Sequence, residues 1–141
     1  MAVHGKNTSV KVDNAAGVLT DLSSIGKDSG LQRSINTADA SHYGTTAKEY
    51  VAGQSDATFS ISGLWSATAD AMLNDVYEAT VAGTIDSTTV EYGPAGNTTG
   101  KPKYTQECIM TGYDVTGSVG DLVQATVSFQ RTGETTRGTF A

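Results

Sequence analysis

A single cysteine, Cys108, excludes an intrachain disulfide, so nothing covalent staples this chain of 141 residues. Its neighbours Glu107, Ile109 and Met110 place it in a strand, where a free thiol behaves as a small apolar side chain. Two histidines, His4 and His42, stand in irregular segments without a Cys or carboxylate at ligand spacing, which leaves a zinc site short of ligands. No apolar run reaches membrane-spanning length, and Met1 to Lys6 lack the apolar core of a secretion signal, so folding in a cytoplasm and no membrane insertion are expected. Charge is sparse at 17% and net acidic at −6. The three arginines, Arg33, Arg131 and Arg137, are scattered, and no run of basic residues offers a face for phosphates.

What is abundant is small and turn-forming: 16 glycines, with many Thr, Ser, Ala and Val. Such a composition builds sheets with many turns, and a surface poor in Lys and Glu presents few obstacles to protein contact. The length fits one domain, residues 1–141. Residues 1–8 read as a polar arm. Val10 and Val12 alternate with polar neighbours, a second strand covers 18–25, and a third runs through Leu31, Arg33 and Ile35. From 36 to 55 the pattern fails, which predicts a long connection that packs through Tyr43 and Tyr50. Alternation returns over 58–65 with Phe59, Ile61 and Trp65 on one face, predicting a core position for Trp65.

One helix is predicted over about residues 67–79. Ser66 or Thr68 caps it, Asp70 sits near its positive end, and Ala69, Met72, Leu73, Val76 and Tyr77 form its apolar stripe. Further strands are predicted over 84–92, 103–115 and 121–131. In the last of these Val123, Ala125, Val127 and Phe129 alternate with Gln124, Thr126, Ser128 and Gln130. The tail 132–141, with Phe140, reads as a final edge strand.

Catalytic patterns fail one by one. Residues 93–102 end a strand with Gly100-Lys101, yet Ala95 stands where a phosphate loop needs its first glycine. Pro102 stands where magnesium needs a hydroxyl, and no helix follows. No serine lies in a Gly-x-Ser-x-Gly elbow, and the carboxylates are dispersed, with Asp70, Asp75 and Glu78 on a solvated helix face. No enzyme, cofactor or metal is expected.

In order and spacing the chain is similar to one family. Val18-Leu19-Thr20-Asp21-Leu22-Ser23, the segment 44–50, and Asp56-Ala57-Thr58-Phe59-Ser60-Ile61-Ser62-Gly63-Leu64-Trp65 precede a helix. Val90-Glu91-Tyr92-Gly93-Pro94-Ala95-Gly96, the segment 104–113 and the segment 129–140 follow it. Together they resemble the major tail (tail tube) proteins of long-tailed bacteriophages of actinobacterial type. The resemblance implies a mainly β, single-domain sandwich or barrel flanked by one helix, of the tail-tube or injection-tube type. It implies hexameric rings stacked into a virion tail tube through which DNA passes without specific binding. The implied partners are further copies of the chain, a tape-measure protein, a tail terminator, and baseplate or distal tail proteins.

The resemblance also implies ring-to-ring contacts from three segments: Val3 and Lys6 in the arm 1–8; Tyr43, Lys48 and Tyr50 in the loop 36–55; and Arg137 and Phe140 in 132–141. Strand parity nominates Gln124, Thr126, Ser128 and Gln130, with Glu91, as channel-facing. Parity alone leaves solvent or the helix as equal alternatives for that row. Two other readings stand beside the tube: a minor tail or capsid-decoration β-sandwich, and a carbohydrate-binding module built on Trp65 and the six tyrosines.

Overall fold

The computed structural model describes residues 2–141. A 3-10 turn at Gly5–Asn7 leads into β1 (Ser9–Asp13) and β2 (Leu19–Asp21). A long hairpin of β3 (Gly26–Asp39) and β4 (Tyr50–Leu64) precedes the helix α1 (Ala67–Ala82). The chain closes with β5 (Thr88–Gly93), β6 (Pro102–Thr116), β7 (Gln124–Arg131) and β8 (Thr136–Thr139). All pairings are antiparallel, in the order β2-β1-β5-β6-β7-β4-β3, and β8 joins β6 beyond the end of β7.

This sheet folds over itself into a sandwich, because its two limbs send apolar side chains into one core. Val10, Val12 and Val90 come from one limb and Phe59, Ile61, Val127 and Phe129 from the other. The Phe59 ring lies 5.3 Å from Tyr92 across the layers and 6.2 Å from Phe129 within its own layer, both tilted. β6 is long enough to serve both layers, pairing β5 with its first half and β7 with its second. An extra residue near Thr111 marks the register shift between them, the kind of bulge that bends a strand.

The helix follows the expected logic. The Ala69 N–H donates to Ser66 Oγ (3.2 Å), Asp70 occupies the first turn, and Gly83 ends the helix in the left-handed region at φ +75°. Ala69, Leu73 and Val76 are buried against the sheet. Thr80, a turn further on, bonds back to the Val76 carbonyl, so the stripe runs along 69, 73, 76 and 80. Tyr77, one position round, is left 38% exposed.

Three expectations are corrected. Residues 36–55 are not a continuous connection, because β3 extends to Asp39 and β4 starts at Tyr50. Only 40–49 joins them, since strand pairing there rests on backbone bonds and needs no buried face to produce alternation. The second strand shrinks to Leu19–Asp21, where Leu22 turns inward and the Gly26 N–H donates to its carbonyl. Trp65 is 38% exposed instead of core, because β4 ends at Leu64 and the face shared by Phe59 and Ile61 stops at Gly63.

Gly63 is the tightest point of the fold. A Cβ there would lie 2.0 Å from the Ile25 carbonyl oxygen, which accepts from the Leu64 N–H (2.9 Å). The entry to β3 therefore packs directly on the end of β4. Gly63→Ala should destabilise the domain by about 2–3 kcal/mol through overpacking of backbone. Gly30→Ala, with open space around it, should be near neutral; equal denaturation midpoints for Gly63→Ala and the parent would refute this packing.

Candidate assembly surfaces

The β3–β4 hairpin divides into two halves with different environments. Near its base β4 pairs with β7 from Thr58 to Leu64, and Phe59 and Ile61 are buried. Beyond that, residues 50–56 of β4 pair with β3 alone, and the outer edge of β3 has no strand beside it among the described residues. The outer half is therefore a two-stranded ribbon open on both edges. It carries a bulge at Gly53, where a Cβ would lie 3.2 Å from the Asn36 carbonyl oxygen. Ile35, Tyr50 and Val51 on this ribbon are 57–60% exposed.

The tip is braced by its own polar groups. The Ala40 N–H donates to the Glu49 carbonyl (2.8 Å), Glu49 N–H to Ser41 Oγ (2.8 Å), and Ser41 N–H to Asp39 Oδ1 (2.9 Å). Ser41 holds the Asp39 carboxyl below its ordinary range through these hydrogen bonds. Tyr43 stands fully exposed at the tip, with Lys48 and Tyr50 exposed behind it. The structure thus brings those three nominated residues to one projection.

The other nominated residues are dispersed. Val3 and Lys6 are exposed on the short N-terminal segment, where the Lys6 N–H donates to His4 Nδ1 (3.1 Å). Arg137 is exposed on β8. Phe140 does not project. Its N–H donates to the Lys101 carbonyl and its ring lies where a Cβ on Gly93 would meet it at 2.8 Å, flanked by Lys103 and Lys11.

Gln124, Thr126, Ser128 and Gln130 do share a face. Register places them beside Leu64, Ser62, Ser60 and Thr58 of β4, and across β6 beside Thr116, Asp114, Gly112 and Ile109. The helix packs on the opposite, core side with Leu73 and Val76, and Thr58, Ser60, Gln124 and Thr126 on this wall are exposed. Apart from Leu64 and Ile109 at its two ends it is polar and nearly uncharged; its paired positions contribute Asp114, and Asp28 opposite Ser62, with no Lys or Arg. Glu91 is not part of it. It is buried in the other layer and paired with Lys103 at 3.3 Å.

Side chains with chemical potential are engaged or isolated. Burial, with Glu107 alongside, pushes the Cys108 thiol up to about 12, so it stays protonated and packs as an apolar group. Ser87 and Thr89 both donate to the Glu107 carboxylate. No grouping of three or more His, Cys, Asp or Glu able to hold a metal ion occurs among the described residues. Residues 93–102 form a turn with Gly96 and Gly100 at positive φ that runs straight into β6, so they present no helix N-terminus to a phosphate. No helix among the described residues is long and apolar enough to cross a membrane.

One feature that sequence reading missed is a polar mouth between the two layers. Arg131 Nη1 donates to Thr135 Oγ1 (2.8 Å) and Nη2 to Ser55 Oγ (2.9 Å), while Thr135 donates to buried Gln106 (2.8 Å). The Arg33 guanidinium lies 5.8 Å over the Tyr104 ring. Arg33, Arg131 and Arg137, apart in sequence, line two adjoining grooves that share Arg33 and Thr135. Long-range strand pairing makes this cluster, and no spacing rule in the sequence could have found it.

No family model matches the chain, and no curated protein matches it. Solved structures do. A chain in the tail of an empty gene transfer agent particle, solved by helical refinement with C6 symmetry, superposes at TM-score 0.75 with 14% identity, over 96% of this chain and 98% of its own. The SPP1 tail tube gives 0.74 at 11% identity, over 99% and 81%. A chain of the anti-feeding prophage baseplate, six-fold symmetrised, gives 0.73 at 10% identity, over 99% and 96%. This chain therefore has the tail-tube fold, a β-sandwich with one flanking helix and a long hairpin.

A side-chain bond fastens the helix to the sheet, Tyr113 Oη donating to Asp70 Oδ1 (2.6 Å). Burial first, and then that bond, raise the Tyr113 phenol above its ordinary value of 10.0. A raised folded pKa means a stability contribution complete below the unfolded value and lost as pH climbs above 10.0 towards the folded one. Tyr113→Phe should cost about 1 kcal/mol at neutral pH. It should also flatten the loss of stability above pH 10.0 seen in urea titrations of the parent. An unchanged alkaline slope would show that the phenol does not hold the helix.

Proposed function

We infer that this chain is a non-catalytic structural subunit that assembles with copies of itself into six-membered rings stacked as a phage-type tail tube. The observation that carries this reading is the open ribbon. A two-stranded ribbon is marginal in water by itself, and this one exposes Ile35, Tyr50 and Val51 on 57–60% of their surfaces. Edges of this kind pair with other chains unless blunted by charge or proline; β3 has no proline, and its charges, Lys27, Asp28, Arg33 and Asp39, leave the stretch 34–38 uncharged. The tail-tube fold is shared with chains from six-fold assemblies, which supports closure of the edge by a neighbouring copy.

In such a ring the uncovered wall of Thr58, Ser60, Thr126 and Ser128 faces the channel. Its short hydroxyl side chains, with Asp28 and Asp114 as the only paired charges, give DNA phosphates nothing to bind. The projecting tip with Tyr43, Lys48 and Tyr50 reaches the next ring, and Val3, Lys6 and Arg137 are further contact points. The place of action is a virion tail, after assembly in a host cytoplasm. A tape-measure protein fills the channel beforehand, and terminator and baseplate proteins bound its ends.

Negative-stain electron microscopy of the concentrated protein tests this. Tubes of uniform width with a central channel are the expected result. Dispersed particles at every concentration and ionic strength would overturn it and favour a decoration protein.

A further inference from the structure

Of the arginine grooves, the reading above uses only Arg137, as an exposed contact point. The first, about 430 Å³, is lined by Leu31, Arg33, Tyr92, Tyr104, Thr135 and Arg137, with no acidic residue. In the adjoining groove of about 640 Å³, Asp56 and Glu134 stand near Arg33 and Arg131. Asp56 there accepts from Gln130, and the single ion pair among the described residues is Lys103 with Glu91, elsewhere. All three guanidiniums of an acidic chain are thus gathered at one mouth without a carboxylate partner.

The complementary charge lies in the same chain. Residues 49–100 contain seven acidic residues and no Lys or Arg, so the remainder of the chain is close to neutral. Within that stretch α1 carries Asp70, Asp75 and Glu78, with no basic residue in its last turn. Asp70 is held by Tyr113, which leaves Asp75 and Glu78 on the solvent side. Beside them Tyr77 and Val81, one turn apart, are 38% and 68% exposed. The helix therefore offers a carboxylate and apolar strip, and the groove offers guanidiniums set among tyrosine rings and Leu31.

We propose that the groove of Arg33 and Arg137 receives the α1 face of Asp75, Tyr77, Glu78 and Val81 from a second copy of this chain. Donor and receptor are different patches, so the contact is head-to-tail, and a closed repetition of it makes a ring. It rests on the self-assembly inferred above and names the side-chain contact that selects the neighbour's position. Guanidinium suits this role because its planar fork pairs with carboxylates in two bonds and stacks on aromatic faces.

Charge exchange tests it. Arg33→Glu with Arg137→Glu, and separately Asp75→Arg with Glu78→Arg, should each raise the protein concentration needed for half-assembly by about tenfold or more in sedimentation assays. The four changes combined should restore assembly towards the parent value. The donor substitutions sit on an exposed helix face, so they decide the matter even where the groove variant fails to fold by circular dichroism. Parent tubes with donor variants that assemble unchanged, or a combined variant that is no better than either pair, would overturn the contact and leave the tube reading intact. A parent that never assembles would overturn both. Retention of duplex DNA by the parent and not by the Arg33→Glu, Arg137→Glu protein, with assembly unaffected, would reassign the groove to phosphates and refute the proposal.

Discussion

Among the described residues no strand lies along the outer edge of Gly26–Asp39, so its outward N–H and C=O groups are left to water or to another chain. This constraint organises the molecule. The sandwich buries only the base of the β3–β4 hairpin, where Phe59 and Ile61 meet Phe129 and Val127. Everything beyond Ala57 towards the tip is surplus to the core. Its exposed Ile35, Tyr50 and Val51 add an apolar demand to the hydrogen-bonding one. In the proposed assembly a neighbour's strand would meet both demands together, and the projecting stretches 34–38 and 50–55 carry no charged residue and no buried one.

The core explains why the projection can be tolerated in a free subunit. Phe59, Phe129 and their neighbours hold the two limbs, and truncating either ring would cost roughly 3–5 kcal/mol. That anchorage does not depend on the ribbon, so the ribbon can remain loosely held without unfolding the domain. Gly63 and the Ile25 carbonyl lock the hairpin base to the turn that precedes it, fixing the direction in which the ribbon points. The helix closes the far side of the core through Leu73 and Val76, leaving the wall of Ser60, Thr126 and Ser128 bare.

The parts legible in the sequence were those written as local periodicity. Alternation over 121–131 marked β7 and its two faces, and the 69, 73, 76 spacing with Ser66 and Gly83 marked the helix. The order of motifs pointed to the tail-tube fold that the structure has. The ribbon looks like a loop over 36–55 in the sequence because a strand exposed on both faces has no apolar alternation. Trp65 shares the parity of Phe59 and Ile61 but lies one residue past the end of β4, where that parity no longer sets a face. The arginine cluster was invisible for a different reason. Arg33, Arg131 and Arg137 meet only through β3–β4, β4–β7 and β6–β8 pairings, and register between distant strands is a property of the whole sheet.

Amide hydrogen exchange on isolated subunits and on assembled material tests the completion of the open edge most directly. Fast exchange is expected at residues 34–39 and 50–56 in the isolated subunit and strong protection of the same amides after assembly, with the core strands around Phe59 and Phe129 slow in both. Equal exchange of the ribbon in the two states would contradict it.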